Sequence, residues 1–225
     1  MVEIHQKKEK IEMLKALSGE LPLAIADDKL TNLGLPGATV ELQRGFIAAD
    51  SCNQILQRLI ETIEWEQRDV VVRGNTYKQP RLVAWYGTGA YTYSGMTLEP
   101  KPLTKLLKRL QDKVEEATGK TYNSVLLNRY VAGQNHGIGH HSDNEPELGK
   151  EPTIAMLTFG EGRELEFKPK NWLVSRHPDA ATKRIETPAG SLLVMRGLTQ
   201  KNWTHGVPKR RGQRDRITLT FRTID

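Results

Sequence analysis

The sequence predicts an α+β fold: a double-stranded β-helix, or jelly roll, with helices that buttress one of its two sheets. Two segments with helical periodicity come first, and short β-type runs separated by Gly, Pro and Asn fill the second half. Helices followed by strands, rather than alternating with them, are typical of this class, because an apolar sheet face needs a covering layer.

The first of these helices is expected from Asp50 to Trp65, since Asp50 and Ser51 offer an N-cap and apolar residues recur three and four positions apart. The second is expected from Lys101-Pro102 to Gly119, with proline in the first turn. The expected strands are Ser124–Val131, Thr153–Phe159, Glu164–Phe167, Ser191–Met195 and Arg216–Arg222.

The chain length of 225 residues suits one main domain, expected at residues 39–225. Residues 1–38 are expected to form an N-terminal helix and linker that pack loosely on it. Helical spacing runs from Lys7 to Leu21, and the run Leu33–Gly37 then interrupts the pattern.

The composition excludes two classes of protein. No apolar stretch approaches the ~20 residues that span a bilayer. The single cysteine, Cys52, excludes an intramolecular disulfide framework and suits a reducing compartment. We therefore expect a monomer inside the cell and away from membranes, cytoplasmic in a bacterium and nuclear in a eukaryote.

The net charge of +6 is concentrated in two stretches. Residues 201–225 carry seven Lys or Arg against two Asp, and residues 168–184 carry five against one. A solvated surface and a contact with a phosphate backbone both explain such stretches, and the sequence leaves both open.

The chemistry begins with His141-Ser142-Asp143, because residues two apart in an extended segment project to one side. His205 offers a third ligand. Two histidines and one carboxylate on one face of a metal leave open positions, as in non-haem Fe(II) oxygenases. His136 and His140 compete for the same role, but Ser142, two residues after His140, offers no carboxylate, so we assign both to the loop or the substrate side.

Alternation in Arg216–Arg222 places Arg216, Thr218, Thr220 and Arg222 on one strand face and apolar residues on the other. Two guanidinium groups inside a barrel are costly unless an anion accompanies them, and a dicarboxylate would suit both. An exposed edge strand with solvated arginines is the alternative. Asn128 and Tyr130 likewise share a face and offer an amide and a phenol.

Together these segments resemble the AlkB family of Fe(II)- and 2-oxoglutarate-dependent nucleic-acid dealkylases, especially its double-strand DNA repair branch. The resemblance covers about residues 40–225 and follows the family's order. Besides the residues above, it rests on Trp85-Tyr86-Gly87, Tyr91 to Gly95, Leu98 to Pro102, Glu145 to Leu148, Ile154–Phe159 and Gly190 to Met195.

The resemblance implies that His141, Asp143 and His205 bind Fe(II), while 2-oxoglutarate and O₂ serve as co-substrates. It implies that 2-oxoglutarate is held by Asn128, Tyr130, Arg216, Thr218 and Arg222. The family often has asparagine where Thr218 stands, and threonine is shorter. The implied reaction is oxidative removal of alkyl groups from bases such as 1-methyladenine and 3-methylcytosine, with release of formaldehyde.

The resemblance also implies substrate contacts. Tyr93, with Tyr91 nearby, would stack on the flipped base, although two core tyrosines of a hairpin would look the same. Glu145 would favour a cationic lesion, or it belongs to an acidic surface loop. Arg73 stands where the double-strand enzyme inserts an apolar finger, so it would fill the gap or contact phosphate.

Three functions therefore remain to be compared. The first is a dealkylase whose partner is alkylated DNA, either alone or together with RNA. The second is an oxygenase of the same fold that acts on RNA, protein or a small metabolite. The third is a non-catalytic nucleic-acid-binding module, which needs neither a complete triad nor two arginines on one strand face.

Overall fold

A computed structural model describes residues 29–72, 74–88, 91–93, 96–98 and 100–225, with the backbone alone at 71–72, 91–93 and 96–98. Its helices are α1 (Ala49–Thr62), α2 (Lys105–Thr118), α3 (Asn171–Val174) and α4 (Thr199–Asn202). Its strands are β1 (Thr31–Asn32), β2 (Thr39–Gln43), β3 (Asp69–Val72), β4 (Asn75–Lys78), β5 (Leu82–Gly87), β6 (Tyr91–Tyr93), β7 (Met96–Leu98), β8 (Ser124–Tyr130), β9 (Asn135–His141), β10 (Ile154–Gly160), β11 (Arg163–Pro169), β12 (Lys183–Thr187), β13 (Leu192–Arg196), β14 (Trp203–Arg211) and β15 (Arg216–Arg222).

Two sheets build the body of the domain. The major sheet has seven strands in the order β1-β2-β13-β10-β15-β8-β5, and the minor sheet has four in the order β12-β11-β14-β9. Neighbouring strands are antiparallel in both sheets. The hairpins β3–β4 and β6–β7 stand apart from both sheets. The predicted jelly roll is confirmed.

The helices α1 and α2 cover one face of the major sheet, as predicted. Ile55 and Leu59 of α1 and Leu107 of α2 are fully buried in a cluster with Leu219 and Phe221 of β15. A second cluster lies between the sheets and includes Leu165, Phe167, Trp203, Met156 and Met195. The major sheet is therefore packed on both faces, and the polar side of β15 points into the gap between the sheets.

Two predicted helix starts are wrong by a few residues. Helix α1 begins after Ala48, and Asp50 lies in its first turn instead of capping it. Helix α2 begins after Thr104, whose hydroxyl accepts a hydrogen bond of 3.2 Å from the amide of Leu107. Its end at Gly119 is as predicted, because this residue takes the left-handed conformation (φ 64°) that glycine tolerates.

Residues 31–38 pack closely with the main domain, whereas we expected them in a loose linker. Strand β1 pairs with β2, Leu35 is 4% exposed, and the indole of Trp203 donates to the carbonyl of Pro36 at 2.9 Å. The expected helix from Lys7 to Leu21 lies outside the described residues. Among the described helices, none is long and apolar enough to cross a bilayer.

Candidate metal and co-substrate site

The three predicted metal ligands meet at the mouth of the gap between the sheets. His141 ends β9, Asp143 follows it in the loop, and His205 lies on β14 opposite His141. The Nε2 atoms of His141 and His205 lie 3.7 Å and 3.9 Å from the carboxylate oxygens of Asp143. Among the described residues, this is the cluster of His, Cys, Asp or Glu that could hold a metal ion.

Asp143 is held ionised in a buried position. Burial alone would raise its pKa, but the guanidinium of Arg222 and the imidazoles of His205 and His141 lower that pKa to about 2. Arg222 donates to Oδ1 of Asp143 at 2.9 Å. The backbone amide of Asp143 donates to Oε1 of Gln200 at 3.0 Å, which fixes the loop.

The two imidazoles are oriented to act as metal ligands. Nδ1 of His141 lies 2.9 Å from the carbonyl of Gly139. A carbonyl can only accept, so Nδ1 carries a proton and Nε2 is the ring nitrogen that faces Asp143 and can bind a metal ion. Burial, followed by the proximity of His141, lowers the pKa of His205 to about 3, so this ring is neutral at physiological pH.

This donor set fits a divalent metal ion. The three ligand atoms lie within 4.8 Å of one another, a spread that one cation can bridge. Within the described part of the chain, Oδ2 of Asp143 is buried without a hydrogen-bond partner, so it is available to a cation. Two imidazoles and one carboxylate are the ligands of the facial triad of non-haem iron.

The inner face of β15 is buried, as predicted, and the edge-strand alternative is wrong. Arg216, Thr218, Thr220 and Arg222 are at most 7% exposed. The protein itself supplies partners for both guanidinium groups, which was not predicted from the sequence. Asp143 pairs with Arg222, and the hydroxyl and the carbonyl of Thr187 accept hydrogen bonds from Arg216 at 2.8 Å and 3.0 Å. Nε of Arg216 is buried without a partner among the described residues.

The remaining predicted co-substrate residues lie on the same inner surface. On β8, Asn128 and Tyr130 stand opposite Thr218 and Arg216 of β15, and both are buried. Thr218 is also paired with Thr158 of β10. The five predicted residues therefore lie on two neighbouring strands, β8 and β15.

Two arginines of this surface were missed by sequence reasoning. Nε of Arg81 donates to Oδ1 of Asn128 at 2.7 Å, and the guanidinium of Arg163 lies 5.1 Å from the centre of the Tyr130 ring. Both arginines are buried. Neither belongs to a motif, and each reaches the site only through tertiary packing, so no sequence signal marks them.

Four residues were predicted to contact the substrate. Glu145 is half-buried two residues after Asp143, and its Oε2 is buried without a partner among the described residues. Tyr91 and Tyr93 belong to β6, which pairs with β7, but the description there covers the backbone alone. Arg73 lies outside the described residues. Of these four side chains, that of Glu145 is the one that the structure describes.

The two basic stretches are partly neutralised within the protein. Lys168 and Arg184 both pair with Glu166 at 2.9 Å, Arg210 pairs with Glu161 at 2.7 Å, and Arg216 and Arg222 are internal. Much of the positive charge that the sequence leaves open to a phosphate partner is therefore already engaged.

A groove with other lysines adjoins the metal ligands. A cavity of about 440 Å³ is lined by Asp143 together with Lys150, Lys170 and Lys201, and also by Glu151. A neighbouring cavity of about 500 Å³ shares Leu198 and Lys201 with it and contains Trp172 and Arg176. Trp172 is 39% exposed, and the guanidinium of Arg176 lies 5.7 Å from its ring. We call these two cavities the lysine groove.

Comparison with known proteins identifies relatives of the whole domain. The profile of the 2OG-Fe(II) oxygenase superfamily matches residues 39–222. The alpha-ketoglutarate-dependent dioxygenase alkB homolog 3 of Homo sapiens is 41% identical over 187 residues, which is 81% of this chain and 65% of that protein. The DNA oxidative demethylase ALKBH2 of Mus musculus is 38% identical over 184 residues, which is 80% of this chain and 77% of that protein.

The chain thus spans about 65% of the length of the alkB homolog 3 proteins that it matches. The solved structure of OsALKBH1 superposes with a TM-score of 0.62 at 15% identity, covering 86% of this chain and 99% of that one. A 2OG-Fe(II) oxygenase family oxidoreductase from Burkholderia pseudomallei superposes with a TM-score of 0.55 at 13% identity, covering 81% and 84%. These two likenesses support the fold.

Proposed function

Because the chain belongs to the 2OG-Fe(II) oxygenase superfamily, we propose that it removes alkyl groups oxidatively from N-alkylated bases of DNA, such as 1-methyladenine and 3-methylcytosine. The observation that carries this proposal is the convergence of His141, Asp143 and His205 beside the buried arginines of β15. Relatives named DNA oxidative demethylase, at 38–40% identity, support the choice of substrate.

His141, Asp143 and His205 would hold Fe(II), which with 2-oxoglutarate and O₂ supplies the oxidising power for hydroxylating an N-alkyl group, after which formaldehyde leaves. The protein contributes the positions of the ligands and their protonation states. Gly139 keeps the proton of His141 on Nδ1, and Arg222 keeps Asp143 ionised.

Arg222 and Arg216 would bind the two ends of 2-oxoglutarate. Arg222 contacts the candidate metal ligand Asp143, so we assign it to the carboxylate nearest the metal. Arg216 lies at the other end of β15, among Thr158, Thr187 and Tyr130, so we assign it to the distal carboxylate. Asn128 and Thr218 lie between these ends and would donate hydrogen bonds to the bound acid.

The alkylated strand would enter along the lysine groove. Lys150 and Lys201 are exposed beside Asp143 and suit backbone phosphates, while Trp172 offers a ring on which a base stacks. Glu145 would face the cationic lesion, and Tyr91 and Tyr93 would stack on the flipped base. We assign Arg73 to the gap that the flipped base leaves or to a phosphate. Such a partner implies an intracellular location, cytoplasmic or nuclear, and we propose that one copy of the chain suffices.

The proposal is tested by following 2-oxoglutarate turnover, measured as succinate, with and without oligonucleotides. A 1-methyladenine DNA strand should stimulate succinate formation and yield formaldehyde, whereas the unmethylated strand should not. Stimulation of succinate formation by amino acids or small metabolites, with no stimulation by methylated DNA, would exclude the dealkylase. The same strand in duplex form measures strand preference.

The second candidate is an oxygenase of the same fold that acts on RNA. The lysine groove favours it as much as DNA, because backbone phosphates and stacked bases are common to both polymers. A 1-methyladenine RNA strand of the same sequence separates the two: faster formaldehyde release from RNA than from DNA would favour this candidate.

A further inference from the structure

The outer face of the minor sheet has Glu166 of β11 as the centre of an ionic cluster. Its carboxylate is reached by Lys168 at 2.9 Å, by Arg184 of β12 at 2.9 Å and by Nε2 of His140 of β9 at 3.1 Å. The Glu166 side chain is only 8% exposed. Hydrogen bonds from Lys168 and Arg184 hold the pKa of Glu166 at about 2, so it is an acceptor for His140 at any physiological pH.

The contact between Glu166 and His140 passes over a whole strand. Strand β14 lies between β11 and β9, so the two backbones are separated by two strand spacings, ~10 Å. The residue of β14 that pairs with Glu166 is Gly206. Because cross-strand partners point to the same face, a side chain at Gly206 would stand where the two side chains now meet.

Strand β9 is bulged at this place. His205 pairs with His141 and Val207 with Ile138, so Gly139 and His140 together oppose the single residue Gly206. The bulge brings the β9 backbone close: a Cβ at Gly206 would lie 2.9 Å from the Ile138 carbonyl oxygen and 3.1 Å from the His140 nitrogen. Glycine is required here by contact with backbone atoms.

The bulge also orients the His141 imidazole. The carbonyl of Gly139, which lies in the bulge, accepts a hydrogen bond from Nδ1 of His141 at 2.9 Å. His141 follows His140 directly in the chain. A bulge that shifts along β9 would move this carbonyl and release the ring, since an unpaired extra residue is otherwise free to relocate.

We propose that Glu166 is a positioning residue: by binding His140 across Gly206, it holds the bulge of β9 in the form that orients His141 toward a metal ion. This proposal depends on the metal site proposed above. Within the described part of the chain, the side-chain ion pairs of Glu166 are with His140, Lys168 and Arg184, and not with the metal ligands or the co-substrate residues. Its effect reaches the site through His140, Gly139 and the ring of His141.

The test is Co(II) binding to the metal-free protein, which is measured by titration and by the ligand-field absorption spectrum. Glu166→Ala and His140→Phe should each weaken Co(II) binding by about tenfold, as loss of an outer partner does at metal sites, and should alter the spectrum. The double variant should bind no more weakly than either single one, because both remove the same contact.

Two further variants separate positioning from general stability. Glu166→Gln keeps an acceptor for His140 and should restore most of the affinity. Glu164→Ala, an exposed residue of the same strand, should bind Co(II) like the wild type. Wild-type affinity and spectrum in both Glu166→Ala and His140→Phe would overturn the positioning role alone. A wild-type protein that binds no Co(II) would overturn this role together with the metal site.

Discussion

Arg222 donates a hydrogen bond of 2.9 Å to Oδ1 of Asp143, and the two side chains are 3% and 1% exposed. A carboxylate so deeply buried needs this partner, because burial penalises its charged form. The same contact joins the candidate metal ligands to the strand that carries the candidate co-substrate arginines. Two functions of the site are therefore coupled through one ion pair.

The first prediction concerns the stability of the metal-free protein. Arg222→Met leaves the Asp143 charge buried without its guanidinium, which should lower the free energy of unfolding by about 3–5 kcal/mol. Urea denaturation of metal-free protein measures this loss. Arg222→Lys is the control and should lose less, because it keeps the charge. A Met variant as stable as the wild type would show that the pair contributes nothing.

The second prediction concerns the pH dependence of the same stability. The pKa of Asp143 is lowered from 3.8 to about 2 in the folded protein. Its ionised form therefore stabilises the fold above about pH 4, and this contribution, on the order of 2 kcal/mol, is lost as the pH falls toward 2. Asp143→Asn should remove this part of the pH dependence.

Urea denaturation of metal-free wild type and Asp143→Asn between pH 2 and 5 gives the difference directly, since Glu166 and the other acids are common to both. Asp112→Asn on the exposed side of α2 serves as the control and should follow the wild type. Parallel pH profiles for wild type and Asp143→Asn would contradict the assigned pKa.

The third prediction separates the two arginines. Arg216→Met should weaken 2-oxoglutarate binding by about 10- to 100-fold, the effect of losing a hydrogen bond to a charged group, while Mn(II) affinity stays within about twofold. Anaerobic titrations of the Mn(II)-loaded protein measure both. Thr187→Val, which removes one partner of Arg216 but no charge, is the control and should have a smaller effect.

Unchanged 2-oxoglutarate affinity in Arg216→Met would show that Arg216 is a structural residue. A parallel loss of Mn(II) affinity would show instead that the substitution disturbs the whole site and does not report on the distal carboxylate.

The fourth prediction tests the lysine groove. The variant Lys150→Gln/Lys201→Gln should bind a single-stranded oligonucleotide more weakly. The magnitude of the slope of log K against log salt should decrease by about 1–2, because each phosphate contact that is lost no longer releases counterions on binding. Fluorescence anisotropy at several salt concentrations measures the slope. Lys113→Gln, on α2 beside Glu116, is the control. An unchanged slope in the double variant would place the nucleic acid elsewhere.

The parts of the fold that follow from local pattern were predicted well. The bounds of β15 at Arg216 and Arg222 agree with the structure, because strict alternation defines both faces. Gly119 ends α2 as predicted, since a left-handed residue there favours glycine. Asp50 was misplaced because Asp is favourable both as a cap and in the first turn of a helix.

The parts of the site that depend on distant contacts were missed. His141 and Asp143 are close in sequence and carry a recognisable spacing, whereas Gln200, which binds the amide of Asp143, lies 57 residues away. Arg81 reaches Asn128 over 47 residues. Such partners are determined by strand order, and neither composition nor periodicity encodes it.

Oxidative dealkylation is measured by mass spectrometry of a 1-methyladenine oligonucleotide incubated with the protein, Fe(II), 2-oxoglutarate and O₂. The proposed activity predicts loss of one methyl group per strand, one formaldehyde and one succinate for each repaired base, and no repair by Asp143→Ala. An intact methylated strand in the presence of iron-loaded wild-type protein that converts 2-oxoglutarate to succinate would contradict it.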